Sequence, residues 1–112
     1  MIVFTTLGPG GTVGGGLGRA THVAVASVED GQITSWTEHE VGWDRLHDEG
    51  TEGSHHARIV RFLRDHHVET VVARGAGEGM QRTLGSMGVR PVLGAHGDAR
   101  EAVLAAATAT GG

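Results

Sequence analysis

The amino-acid sequence predicts an α/β domain, a five-stranded mixed sheet with helices on both faces, and three observations carry that reading. Residues 69–88 read as a short apolar run, then a loop with glycine at every second position (Gly75, Gly77, Gly79), then a helical stripe of Met80, Leu84 and Met87. Residues 22–40 read as two alternating runs joined by Asp30-Gly31, a tight hairpin turn. From Ser54 onward, helical and extended patterns alternate as αβαβα, which makes the later strands parallel through right-handed crossovers.

In chain order, Ile2 to Thr6 forms a buried first strand. The glycine-rich stretch 7–18 follows, expected to be a mobile loop with little side chain of its own. The second strand, His22 to Val28, alternates in character, and the return strand, Ile33 to Glu40, is polar enough to lie at the sheet edge. Residues 41–53 read as loop, with Trp43 either to line a pocket or, the favoured reading, to anchor the loop. Ser54 is the expected N-cap of a helix running to about His67, with Ile59, Val60, Phe62 and Leu63 inward.

Thr70 to Ala73 is nearly all apolar, as suits a parallel strand covered on both faces, and Gly88 ends the helix after it. Arg90 to Leu93 makes a short last strand. Asp98 with Glu101 resembles a capping box, opening a helix through about Ala107, with the last five residues expected to fray. The sheet order follows as 3-2-1-4-5 with only the second strand antiparallel, in one domain spanning residues 1–112, without repeat or linker.

Composition bounds the function. A formal net charge of −4 gives no reason to expect nucleic acid or an anionic membrane as partner. No apolar run approaches the roughly 20 residues of a membrane span, and no secretory signal opens the chain, so a cytoplasmic protein is expected. There is no cysteine, so a metal must be held by His, carboxylate or backbone groups. The nine basic residues are all Arg, and there are eight His.

The predicted topology gathers the 7–20 loop, the 41–53 loop and three helix N-termini at one edge of the sheet, where strands 1 and 4 leave a crevice between them. His22, His39, His47, His55, His56 and His96 are expected along that edge with Arg19, Arg45, Arg58 and Arg74, while His66 and His67 fall at the opposite end. Imidazole, guanidinium and helix starts together suit a polyanion or a metal-bearing anion. The glycines serve either that purpose or simply a tight strand-to-helix turn.

Several segments also resemble one family. Leu17-Gly18-Arg19-Ala20 after a glycine-rich loop looks like its Phe-Gly-Arg-Ala. Val28-Glu29-Asp30-Gly31-Gln32-Ile33, Ser54-His55-His56, Val71-Val72-Ala73 and Gly88-Val89-Arg90-Pro91-Val92 before Ala99 to Ala105 follow in matching order. The chain thus resembles the dinitrogenase iron–molybdenum cofactor biosynthesis family, over nearly its whole length. It departs from that pattern at Gly16 (often His), Leu17 (an aromatic) and Arg74 (a glycine).

The resemblance implies a ribonuclease H-like fold and a non-enzymatic carrier of an iron–molybdenum cofactor or its iron–sulfur precursor, exchanged with donor and acceptor proteins. Arg19 matches the family arginine, and His55 and His56 sit where a His-rich segment often lies. With the edge described above, this makes Arg19, Arg74, Gly75 and Gly77 candidates for the cofactor's anionic groups, and His55, His56, His39 and His96 candidate metal ligands. A nuclease on this fold needs clustered carboxylates; Ile2 to Thr6 has none and the fourth strand offers only Glu69, so no enzyme is expected. The competing reading is a small-molecule anion- or phosphate-binding or protein-interaction module without metal; against phosphate, the 75–79 loop lacks the P-loop Lys-Ser/Thr and carries Glu78.

Overall fold

The first strand, β1 (Ile2–Leu7), is flanked by β2 (His22–Glu29) on one side and β4 (Thr70–Val72) on the other; β3 (Gln32–Glu40) and β5 (Arg90–Val92) form the edges. The computed structural model describes residues 1–110. The sheet order is β3-β2-β1-β4-β5, with β1–β2 and β2–β3 antiparallel and β1–β4 and β4–β5 parallel, as predicted. The hairpin closes at Asp30 (φ 52°) and Gly31 (φ 75°), two positive-φ residues whose twist matches that of the strands they join. Every residue of β4 is buried, which explains its apolar run.

Alternation along the strands divides the core. Phe4, Val23 and Val71 face α2 (Glu52–Asp65) and α3 (Glu78–Met87), where Leu17, Trp43, Ile59, Leu63, Met80 and Leu84 pack against them. Val3, Ala26, Val28 and Val72 face α4 (Ala99–Thr110) through Ala99, Val103 and Ala106. Gly88, at φ 74°, caps the end of α3 as the sequence indicates. Among the described residues no helix is long and apolar enough to cross a membrane.

Four expectations need correction. The 41–53 stretch contains a short helix, α1 (Trp43–Leu46), whose Trp43 ring stacks on Phe4 with centroids 6.1 Å apart and is nearly inaccessible to solvent. The next helix starts three residues earlier than expected: Thr51 is the N-cap and Ser54 is the third helical residue, the two side chains and backbones exchanging hydrogen bonds of 3.1 Å. The last helix continues to Thr110; of the five residues expected to fray, 108–110 are helical, and Gly111 and Gly112 lie outside the described residues.

The fourth correction concerns the 7–20 loop, which is fastened rather than free. Two short 3₁₀ turns, Pro9–Gly11 and Leu17–Arg19, lie within it. Its backbone is held by Val13 N–H to Gly97 O (2.8 Å), Gly14 N–H to Thr6 O (3.0 Å) and Leu17 N–H to Gly75 O (2.9 Å), while the Val13 and Leu17 side chains enter the two cores. Glycine is required at position 14, because a Cβ there would sit 2.9 Å from the Leu7 carbonyl carbon and oxygen.

Candidate functional site

At the crevice between β1 and β4 two glycine loops run side by side. Gly16 pairs with Gly75, and Leu17 donates to the Gly75 carbonyl. Arg19 closes the turn on one strand of this seam and Arg74 precedes Gly75 on the other. Both arginines are exposed, and among the described residues neither guanidinium has a hydrogen-bond or ion-pair partner. Gly77, in extended conformation, opens α3, and no side chain caps that helix start. Its first-turn N–H groups lie at the positive end of the helix dipole. Two cations beside uncapped N–H groups make a surface that accepts anionic oxygens, although Glu78 in the first turn opposes a dense charge such as phosphate.

α2 brings two histidines to the same seam. His55 is 2% exposed and its Nε2 lies 2.7 Å from the Gly18 carbonyl, 37 residues away in sequence. Its Nδ1 lies 2.9 Å from an Arg58 NH1, one helical turn along. The His47 ring stands edge-on to it, centroids 5.2 Å apart. His56 lies over the start of α3: a Cβ on Gly79 would come within 3.2 Å of its Cε1, so the glycine there permits the close approach.

The other two predicted ligands lie elsewhere. His39 stands opposite Val23 on β3, with its ring 5.2 Å from Phe62 and 5.0 Å from His66. His96 is exposed in the β5–α4 loop, beside a hollow of about 290 Å³ lined by Val92, Ala102 and Ala106 on the α4 side. His55, His56, His39 and His96 therefore do not converge on one point, and among the described residues no group of three or more His, Cys, Asp or Glu could hold a metal ion. His22 is at the same edge but pairs with Glu40 at 3.3 Å.

His66 is not remote from His39, contrary to the separation read from the sequence. α2 is about 21 Å long and runs obliquely, from Gly18 beside the β1–β4 seam at its start to His39 on β3 at its end. The angle of a helix across a sheet has no marker in the chain. The His55–Arg58 contact does have one, the i, i+3 spacing on a helix.

Solved structures share this fold. PH0822 matches at a TM-score of 0.75 and 19% identity, over 97% of this chain and 92% of that one. A protein of Methanocaldococcus jannaschii provisionally named as a dinitrogenase matches at 0.64 and 14% identity, over 98% and 89%. A Thermotoga protein provisionally named as NifB matches at 0.65 and 22% identity, over 96% and 87%. A search of curated protein sequences finds no match. The model of the family described as "Dinitrogenase iron-molybdenum cofactor" matches residues 1–109, and the chain belongs to that family.

Proposed function

We propose that this chain is a non-enzymatic carrier of an anionic metal cofactor, the iron–molybdenum cofactor or an iron–sulfur precursor, received from a donor protein and passed to an acceptor. Family membership supports the cargo class. The observation that carries the reading is the seam itself: Gly16 beside Gly75, flanked by Arg19 and Arg74, with the uncapped start of α3 at its end. Guanidinium groups pair with carboxylates in two-pronged fashion, and backbone N–H groups donate to oxygen or sulfide.

The donor set bears on how such a cargo is gripped. There is no cysteine, and among the described residues no three-ligand metal group. The fit is to the outer anionic groups of the cargo rather than to its metal, a grip that exchanges readily and suits transfer. A second reading, an organic-anion binder without metal, is favoured by one feature: both ring nitrogens of His55 are already committed to protein partners.

Anaerobic titration of the full chain with isolated iron–molybdenum cofactor, followed by visible absorbance, tests the proposal. Saturable uptake is expected, weakened about tenfold or more by Arg19→Ala with Arg74→Ala, the scale of one lost charge-assisted contact. No uptake by the wild type, or equal uptake by both proteins, overturns it. Citrate titrated in place of the cofactor identifies the metal-free alternative, if citrate binds with the same dependence on the arginines and the cofactor does not bind.

A further inference from the structure

We propose that His55 is the positioning residue of the arginine turn rather than a metal ligand: its Nε2–H holds the Gly18 carbonyl and so sets where Arg19 presents its guanidinium to the cargo. This rests on the carrier reading above and names the residue that organises that site.

The two contacts of the ring determine its state. Arg58 can only donate, so Nδ1 of His55 accepts from it. The Gly18 carbonyl can only accept, so Nε2 bears the hydrogen and donates to it. His55 is therefore held neutral in the Nε2–H tautomer, and Arg58 selects that tautomer as the partner of a functional imidazole commonly does.

The carbonyl it holds belongs to the peptide joining Gly18 to Arg19. The turn is tied on both sides: Leu17 N–H donates to Gly75 O (2.9 Å), and Trp43 N–H donates to Ala20 O (2.8 Å). Between these ties the Arg19 N–H makes a long contact to Gly16 O (3.3 Å), so the 2.7 Å bond from His55 is the short one at the centre of the turn. Without it the 18–19 peptide plane is held only by that long contact, and the direction in which the Arg19 side chain departs is correspondingly less fixed. The His47 ring closes over the other side of the imidazole, leaving His55 with its two nitrogens bonded and almost no surface. To ligate a metal it would have to surrender one of the two bonds and strand a carbonyl or a guanidinium.

A double-mutant cycle in the anaerobic cofactor titration separates positioning from ligation. The proteins are wild type, Arg19→Ala, His55→Ala and the double variant, each checked for folding by circular dichroism. Expected is a loss of about fivefold for His55→Ala, with no further loss when it is added to Arg19→Ala, because His55 acts through Arg19. Additive losses overturn the proposal.

Two further variants keep the test decisive should His55→Ala fail to fold. His55→Gln retains an N–H for Gly18 and a carbonyl oxygen for Arg58, and should bind within about threefold of wild type; loss as severe as that of Arg19→Ala overturns the proposal. Arg58→Gln leaves the imidazole in place but weakens the selection of its tautomer, and should lower binding; unchanged or tighter binding, as expected of a ligand nitrogen set free, overturns it. A wild type that takes up no cofactor defeats the carrier reading and this role together. A wild type that binds while the cycle is additive defeats this role alone.

Discussion

The two faces of the sheet are packed with side chains of different size. Against α2 and α3 the sheet sets Phe4, Val23 and Val71, and it is met by Leu17, Trp43, Ile59, Leu63 and Leu84. Three aromatic rings mesh there: Trp43 lies parallel to Phe4, and Phe62 stands edge-on to both, 5.9 Å from Phe4 and 5.6 Å from Trp43. Against α4 the sheet sets Val3, Ala26, Val28 and Val72, met by Ala99, Val103 and Ala106. Small residues on both sides let α4 pack closely over β1 and β4. Bulky residues fill the space between α2 and the sheet, and at the start of the same helix His55 reaches the Gly18 carbonyl. The face that carries the candidate site is thus the one packed with large side chains.

The contrast predicts opposite sensitivities. On the large-residue face, truncation is the severe change: Trp43→Ala removes a stacked, nearly inaccessible ring and should cost about 3–5 kcal/mol. Urea unfolding should show a loss of that size, read from the fall in midpoint multiplied by the m-value, and a loss below about 1 kcal/mol would mean that Trp43 is not the anchor of the α1 segment.

On the α4 face, enlargement is the severe change. Ala99 is 1% exposed within a cluster of small residues, so the added side chain of Ala99→Leu meets packed neighbours and should cost about 1–3 kcal/mol. The same denaturation measurement decides it. A stabilised Ala99→Leu protein would show slack between α4 and the sheet and remove the contrast between the faces.

The sheet order was legible because it rests on patterns that local chemistry and burial impose directly: the alternation of 22–28, the Asp30-Gly31 turn, and the nearly all apolar run 70–73. The helix start at Thr51 was misplaced because Thr51 and Ser54 are both competent caps, and Gly50 and Gly53 beside them read as loop. α1 was missed because four residues carry no helical period, and what fixes them is the stacking of Trp43 on a strand 39 positions earlier. Of the candidate site, Arg19, Arg74, Gly75 and Gly77 fall on one seam, since chain order at a strand end determines where they lie. The histidines separate because their grouping depends on the tilt of α2 and on which face of the sheet each loop leaves, and neither is written in local sequence.

The smallest effect expected from the comparison lies at the helix starts. α4 begins with one side-chain cap, Asp98 Oδ2 accepting from the Glu101 N–H at 2.9 Å. α2 begins with a reciprocal pair, in which Thr51 and Ser54 each accept from the other's backbone N–H. Thr51→Ala removes one of those acceptors and should cost about 1 kcal/mol, with a similar cost for Asp98→Ala. Only the first should reach the seam, because His55 is the residue after Ser54 and its ring is fastened to Gly18. Fraying the first turn of α2 loosens that bond directly, whereas fraying α4 acts first on residues 12–13, which pair with Asp98 and Gly97 away from the seam. Amide hydrogen exchange should therefore speed up at residues 17–19 in Thr51→Ala and remain near wild type there in Asp98→Ala. Equal acceleration in both variants would mean that the two faces open as one unit and that the seam is not coupled to α2 in particular.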